Sequence, residues 1–335
     1  ARAASDDEAT RRSRLLGVKL RAFVRDHLGV DRLPEPVEFA PGAALIDDDR
    51  AWILLDDRPG ERLGAALLWA RRQGATSVDL IAEQATGQLA RRASSFSTPI
   101  TVWHADDRVL LPTVAEPLSE PAPPPAHHEE FRARIVEGGA EPGVEHGVLD
   151  GEVRGLEVCR VVDDPVLGTT RLEVGVGAHD REAFQMLHGD VPTTESLARV
   201  VDAVAQHRRV EAPQHPLNRL AAERFVRWRL IDEPAIIGFQ SIVAAQPPVP
   251  RINLKDPVPC VAAGVATDGG QAVIVCSSGV DLDLIPFAAD ARSAQEAIAG
   301  GPLDLVVVLP GRDLVRATTE LAADLDRPAR FVPLD

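Results

Sequence analysis

One pattern is written twice in this chain, and it limits the fold more than any composition value does. Near the N-terminus the acidic turn Asp47-Asp48-Asp49 leads into the apolar run Ala51-Trp52-Ile53-Leu54-Leu55. A helical stretch follows, then a second apolar run at 77–82, another helical stretch and a third run at 99–103. Near the C-terminus Asp268-Gly269-Gly270 leads into Ala272-Val273-Ile274-Val275-Cys276, with helix expected over 283–292, strand over 303–309, helix over 314–325 and strand over 329–332. Short β-branched runs separated by stretches of helical periodicity favour strands joined by crossover helices. Such crossovers are right-handed and give parallel strands buried on both faces. The sequence therefore predicts an α/β fold in which two related βαβαβ units, N- and C-terminal, flank an α+β middle domain.

The helical stretches carry matching stripes. Leu63, Ala66, Leu67 and Ala70 share one face and Gly74 supplies the stop, while Leu314, Ala317, Leu321 and Leu325 repeat the stripe before Pro328 forces extension. Proline and charge then mark the divisions. Residues 1–115 form the N-terminal unit, with a mobile polar start over 1–12 and an amphipathic helix over 14–27. Residues 116–128 form a linker, because Pro117, Pro121, Pro123, Pro124 and Pro125 exclude both a regular helix and a central strand. The middle domain runs over 129–246, and Pro247, Pro248 and Pro250 introduce the last unit at 247–335. Within the middle, helix is expected over 129–136, 181–187, from Thr193 to 207 and over 216–230, with paired strands over 152–162 and 170–176 across Asp163-Asp164-Pro165.

Composition narrows the classes of function. A hydrophobic fraction of 45% and a charged fraction of 26% are those of a globular protein. There is no apolar run of about eighteen residues, the length a membrane helix requires, and the N-terminal stretch is charged, so a cytoplasmic protein without a membrane partner is expected. A net charge of −15 argues against broad binding to nucleic acid. Cys159, Cys260 and Cys276 lack metal-ligand spacing and sit in apolar runs, where a thiol acts as a small hydrophobe. No motif indicates a cofactor: neither a GxGxxG nor a Walker pattern is present.

Three constellations carry candidate chemistry. The first is Glu145, His146, Glu152, Glu157, Glu173, His179 and Asp180, the carboxylate and imidazole set from which a metal-dependent hydrolase is built. Glu145, Glu152, Glu157, Glu173 and His179 are its catalytic candidates, and Glu157 with Glu173 the pair that a hairpin register could bring onto one ion. The lysine that hairpin nucleases place two residues after the second carboxylate is replaced by Cys159, followed by Arg160. Cross-strand pairing of Glu157 and Arg160 with Arg171 and Glu173 on a wet hairpin face accounts for the same residues without catalysis. The second is the loop Ser277-Ser278-Gly279 at the carboxyl end of a predicted parallel strand, where free N–H groups favour an anion, although Asp281 and Asp283 follow. The third is His215, Asn218 and Arg219, with Arg224, as an anion site. The stretch from Arg219 to Arg229 around Trp228 is also a candidate nucleic-acid surface, against which stands a solvated face with Glu223 pairing at helical spacing. His127-His128 is expected to be solvated. The expected function is binding or scaffolding, with a small anionic ligand or a protein partner at a cleft between units; the alternatives are the metal-dependent hydrolase and the nucleic-acid-binding module.

Overall fold

The computed structural model describes residues 2–165, 168–177, 181, 193–211, 215–251 and 258–334. The protein is α/β, with two related units that contain parallel strands and crossover helices, and it divides into two compact units. The first comprises Ala1–Leu118, Val280–Asp290 and Leu314–Ala329; the second comprises Ser119–Gly279, Ala291–Asp313 and Arg330–Asp335.

The first unit holds a six-stranded sheet in the order β1 (Val37–Phe39), β2 (Gly42–Asp47), β3 (Arg50–Leu55), β4 (Ser77–Ala82), β5 (Ile100–Asp106) and β6 (Val109–Pro112). β3, β4 and β5 run parallel, joined by the helices Leu63–Arg72 and Thr86–Ala93. Because spatial order follows chain order, right-handed crossovers put both helices on one face and leave the other open. That second face takes the helix Arg2–Leu28, whose Leu20, Phe23 and Val24 pack on Leu45, Trp52, Leu54 and Ile81. Alternation along β3 explains the division: Trp52 and Leu54 turn to this helix, and Ala51, Ile53 and Leu55, all buried, turn away. The helix begins at Arg2 and so includes the segment expected to be mobile. A buried Arg92 donates to Asp283 (2.5 Å), Asp290 (3.2 Å) and the Gly60 carbonyl (2.8 Å) within the same unit.

The second unit contains two sheets. One repeats the first sheet's succession as β11 (Phe239–Ala245), β12 (Cys260–Ala266), β13 (Gln271–Cys276), β14 (Asp304–Leu309) and β15 (Ala329–Pro333), with β13 and β14 parallel. Its counterpart of the leading helix is Ala222–Asp232, whose Leu230 joins Ile242, Cys260, Ile274, Cys276, Val306 and Val308 in one core. This sheet therefore begins before the second proline cluster, because β11 pairs with β12 across it. The other sheet is antiparallel, ordered β10 (Thr169–Val174), β9 (Leu156–Asp164), β8 (Val148–Val153) and β7 (Glu141–Glu145), and it packs against the helix Thr193–His207 through Leu197, Val201 and Val204. Helices also occupy Ala126–Glu129 and Arg132–Glu137. The helix expected over 181–187 lies, beyond residue 181, outside the described residues.

The single strand expected over 152–162 is two strands. Arg154 and Gly155 adopt positive φ (50° and 76°), the backbone of a tight hairpin turn that matches the twist of the strands it joins. The turn makes Glu152 and Glu157 cross-strand partners instead of neighbours along one strand. Gly155 is required twice, since a Cβ there would also meet the Arg224 carbonyl oxygen at 2.4 Å.

Candidate functional site

A cleft of about 390 Å³ lies in the second unit, bounded by β7, β8, the helix Ala222–Asp232 and the end of β11. Its lining carries five carboxyl groups, Glu141, Glu145, Asp150, Glu152 and Asp232, against the two guanidinium groups of Arg224 and Arg227, with Trp228, Ile231 and Gln246 completing the wall.

The helix is placed by Arg208, a fully buried arginine that donates to the carbonyls of Arg154 (2.8 Å), Leu217 (2.6 Å), Leu220 (2.8 Å) and Ala221 (2.9 Å). Four carbonyl acceptors satisfy its donors but supply no counter-charge, and burial brings its pKa down to about 10. Arg224 and Arg227, three residues apart on one helical face, then reach across to the hairpin. Arg224 donates to both Glu145 and Glu152, and Arg227 adds contacts to Glu145 (3.2 Å) and Glu152 (3.5 Å). Burial alone would raise the Glu152 pKa, but Arg224 and Arg227 outweigh it and hold the carboxylate below its ordinary value. Arg224 is likewise raised: burial opposes its charge and Glu152 and Glu145 overcome that.

Asp150 is different. It is 6% exposed and lines the cleft, yet no described residue donates a hydrogen bond to its carboxyl group. Burial, reinforced by the charges of Glu152, Glu157 and Glu145, holds its pKa well above the usual carboxylate range, with Arg224 opposing. Glu141 at the rim is raised in the same direction by burial and then by Glu152.

The predicted residues are distributed as follows. Glu145 and Glu152 meet in the cleft through their shared arginines. Glu157 does not lie on a wet face: it is 1% exposed and accepts from Arg160 (2.9 and 3.0 Å) and Arg181 (2.9 Å), with Arg251 at 3.8 Å. Burial and the charge of Arg224 lower the Arg251 pKa. Glu173 faces Arg160 across the β9–β10 register and is held by Arg171 and Arg181, so arginines occupy both members of the expected metal pair. His146 donates its backbone N–H to Gln246 (2.9 Å), and His179 and Asp180 lie outside the described residues. Ser277 is buried and the Gly279 N–H donates to Asp313 (2.8 Å), so the chain's own carboxylate sits where an anion was expected. His215 stacks on His207 at 4.2 Å and caps the turn Pro216–Arg219 by accepting from the Leu217 N–H, while Asn218 donates to the Arg209 carbonyl. Arg224 and Arg227, the centre of the candidate basic face, are buried on carboxylates, and Glu223 is buried with Oε1 lacking a hydrogen-bond partner instead of pairing at the surface.

Sequence reasoning passed over Asp150, Glu141, Asp232 and Arg251. A signal existed for Asp150, an acid between Leu149 and Gly151 that continues the apolar pair Val148-Leu149. The three thiols are free and buried; Cys159, beside Asp150, is pushed up to about 12 by burial and Asp150, and Cys276 is raised by its hydrogen bond with Cys260 and by burial. No helix among the described residues is long and apolar enough to cross a membrane. No family model, curated protein or solved structure matches the chain.

Proposed function

We propose that the protein is a ligand-binding protein whose cleft takes a small organic cation, an amine or a guanidinium. The observation that supports this is Asp150, a buried carboxyl group that lines the cleft without a donor among the described residues and whose pKa is held well above the usual carboxylate range by burial and by three glutamates. A cation entering the cleft supplies both the missing donor and the counter-charge, a charge-assisted contact worth about 1.5–3 kcal/mol. The counter-charge of the cation favours the ionised form of Asp150. The excess of acidic over basic groups on the walls favours a cation over the anion expected from the sequence.

The test is thermal melting with agmatine and spermidine set against phosphate and citrate, followed by calorimetry of any binder in buffers of different ionisation enthalpy. The cations should raise Tm with a buffer-dependent heat, and Asp150→Asn should remove the response while the variant stays folded. Stabilisation by the anions, or an equal cation response in Asp150→Asn, defeats the proposal. A metal-dependent hydrolase has one observation in its favour, the presence of Asp150, Glu145 and Glu152, hard oxygen donors, in the lining of one cleft, although the three do not gather at the spacing of a single ion. Mg²⁺ would have to displace Arg224 and Arg227 from two of them. A Mg²⁺- or Mn²⁺-dependent rise in Tm lost in Asp150→Asn, with cleavage of a phosphodiester probe, would favour that alternative.

A further inference from the structure

Outside the cleft, in the same unit, two histidines from one helical turn and an aspartate from a strand end meet at one point. We propose that His127, His128 and Asp163 form a site for a divalent first-row transition metal, with Zn²⁺ the ion that suits the donor set. His127 and His128 lie on Ala126–Glu129 and Asp163 near the end of β9. The Nε2 atoms of His127 and His128 lie 3.0 and 3.1 Å from the same oxygen, Asp163 Oδ1, and the donor atoms of the three residues all fall within 4.8 Å of one another. Bonds of about 2.0–2.1 Å at tetrahedral angles place ligand atoms about 3.3 Å apart, so the groups already stand near the spacing one ion requires. Consecutive helical residues point in directions about 100° apart, yet these rings close to 4.6 Å edge-to-face and both turn to the aspartate.

A second observation is independent of that spacing. His128 is 6% exposed, and among the described residues neither of its ring nitrogens meets a partner in good hydrogen-bond geometry, although Nε2 stands 3.1 Å from Asp163 Oδ1. A buried nitrogen without a partner is destabilising by about 1–3 kcal/mol. A metal bound at Nε2 removes that deficit. The half-exposed His127 and Asp163 leave the point open to an entering ion. Thr170 Oγ1 donates to Asp163 Oδ1 at 2.7 Å, the outer contact that orients a ligating carboxylate. Two imidazoles and one carboxylate suit Zn²⁺, Co²⁺ or Ni²⁺ far better than Mg²⁺. Three protein ligands also leave a position for water, as in zinc sites that act on a substrate.

The experiment uses the full chain, stripped with chelator and titrated with Zn²⁺ by calorimetry, with Co²⁺ as a spectroscopic probe. One equivalent of Zn²⁺ should bind and raise Tm, and Co²⁺ should show the visible absorption of a bound ion with nitrogen ligands. His127→Ala and Asp163→Asn, both at exposed positions where folding is retained, should weaken binding by at least the ~10–100-fold that loss of an outer-shell partner produces. Thr170→Val should lie within that range. The proposal fails if Zn²⁺ leaves Tm unmoved, if both variants bind as the wild type does, or if Mg²⁺ stabilises as strongly as Zn²⁺. Because Asp150 takes no part, Asp150→Asn should bind Zn²⁺ normally, which separates this outcome from that of the cleft.

Discussion

Replacing Glu157 by glutamine should cost far more than its place on a charged hairpin suggests. The side chain is 1% exposed and its two oxygens accept three hydrogen bonds, from Arg160 Nε (3.0 Å), Arg160 Nη2 (2.9 Å) and Arg181 Nη1 (2.9 Å), while Arg251 stands 3.8 Å away. Glutamine keeps the volume but not the charge, and one of its two polar atoms becomes a donor facing guanidinium groups. Breaking a buried ion pair by removing one partner costs about 3–5 kcal/mol, against about 0–1 for an exposed pair. Arg160 is 37% exposed and can turn towards water; Arg181 and Arg251, at 11% and 8%, have less freedom to do so. The expected loss is therefore near the lower end of the buried range, about 3 kcal/mol. In urea unfolding followed by circular dichroism, an m-value of about 2–3 kcal/mol/M lowers the midpoint of the transition that reports this unit by about 1 M. The double variant with Arg160→Gln should cost less than the sum of the two single changes, because it removes charges of both signs. A loss below about 1 kcal/mol for Glu157→Gln, or additive single changes, would show that the arginines are not held by this carboxylate and would refute the buried-cluster account.

Two further outcomes follow from the cleft. The Asp150 carboxyl is raised in the folded state, so its contribution to stability is fully present below the unfolded value of about 4 and is lost as pH rises through the folded value; Asp150→Asn should flatten that fall and melt higher than the wild type at neutral pH, and a parallel pH profile would count against it. Gly155→Ala puts a Cβ onto the Arg224 carbonyl oxygen at a residue with φ of 76°; the overpacking and the left-handed strain together should destabilise by about 2–4 kcal/mol and weaken cation binding in the cleft, and wild-type unfolding and binding would contradict the account.

The repeated turn, strand and helix pattern was legible in the sequence because it is local. Asp47-Asp48-Asp49 and Asp268-Gly269-Gly270 turn where their composition requires, and buried parallel strands are predominantly apolar wherever they lie. Strand pairing was less legible. Residues 152–162 alternate well enough to pass for one strand, and only the positive φ of Arg154 and Gly155 divides them, which sets Glu152 opposite Glu157. Burial of charge was not legible at all. Glu157, Arg224 and Arg227 read as surface residues because ionised side chains are rarely buried unless paired, and their partners come from elements far along the chain. Asp150 and the meeting of His127, His128 and Asp163 depend in the same way on packing. A chain's own order fixes periodicity and turns, whereas the pKa of a carboxyl group or the spacing of three ligands depends on which distant groups share its low-dielectric surroundings, and that is decided only when the sheets and helices close on one another.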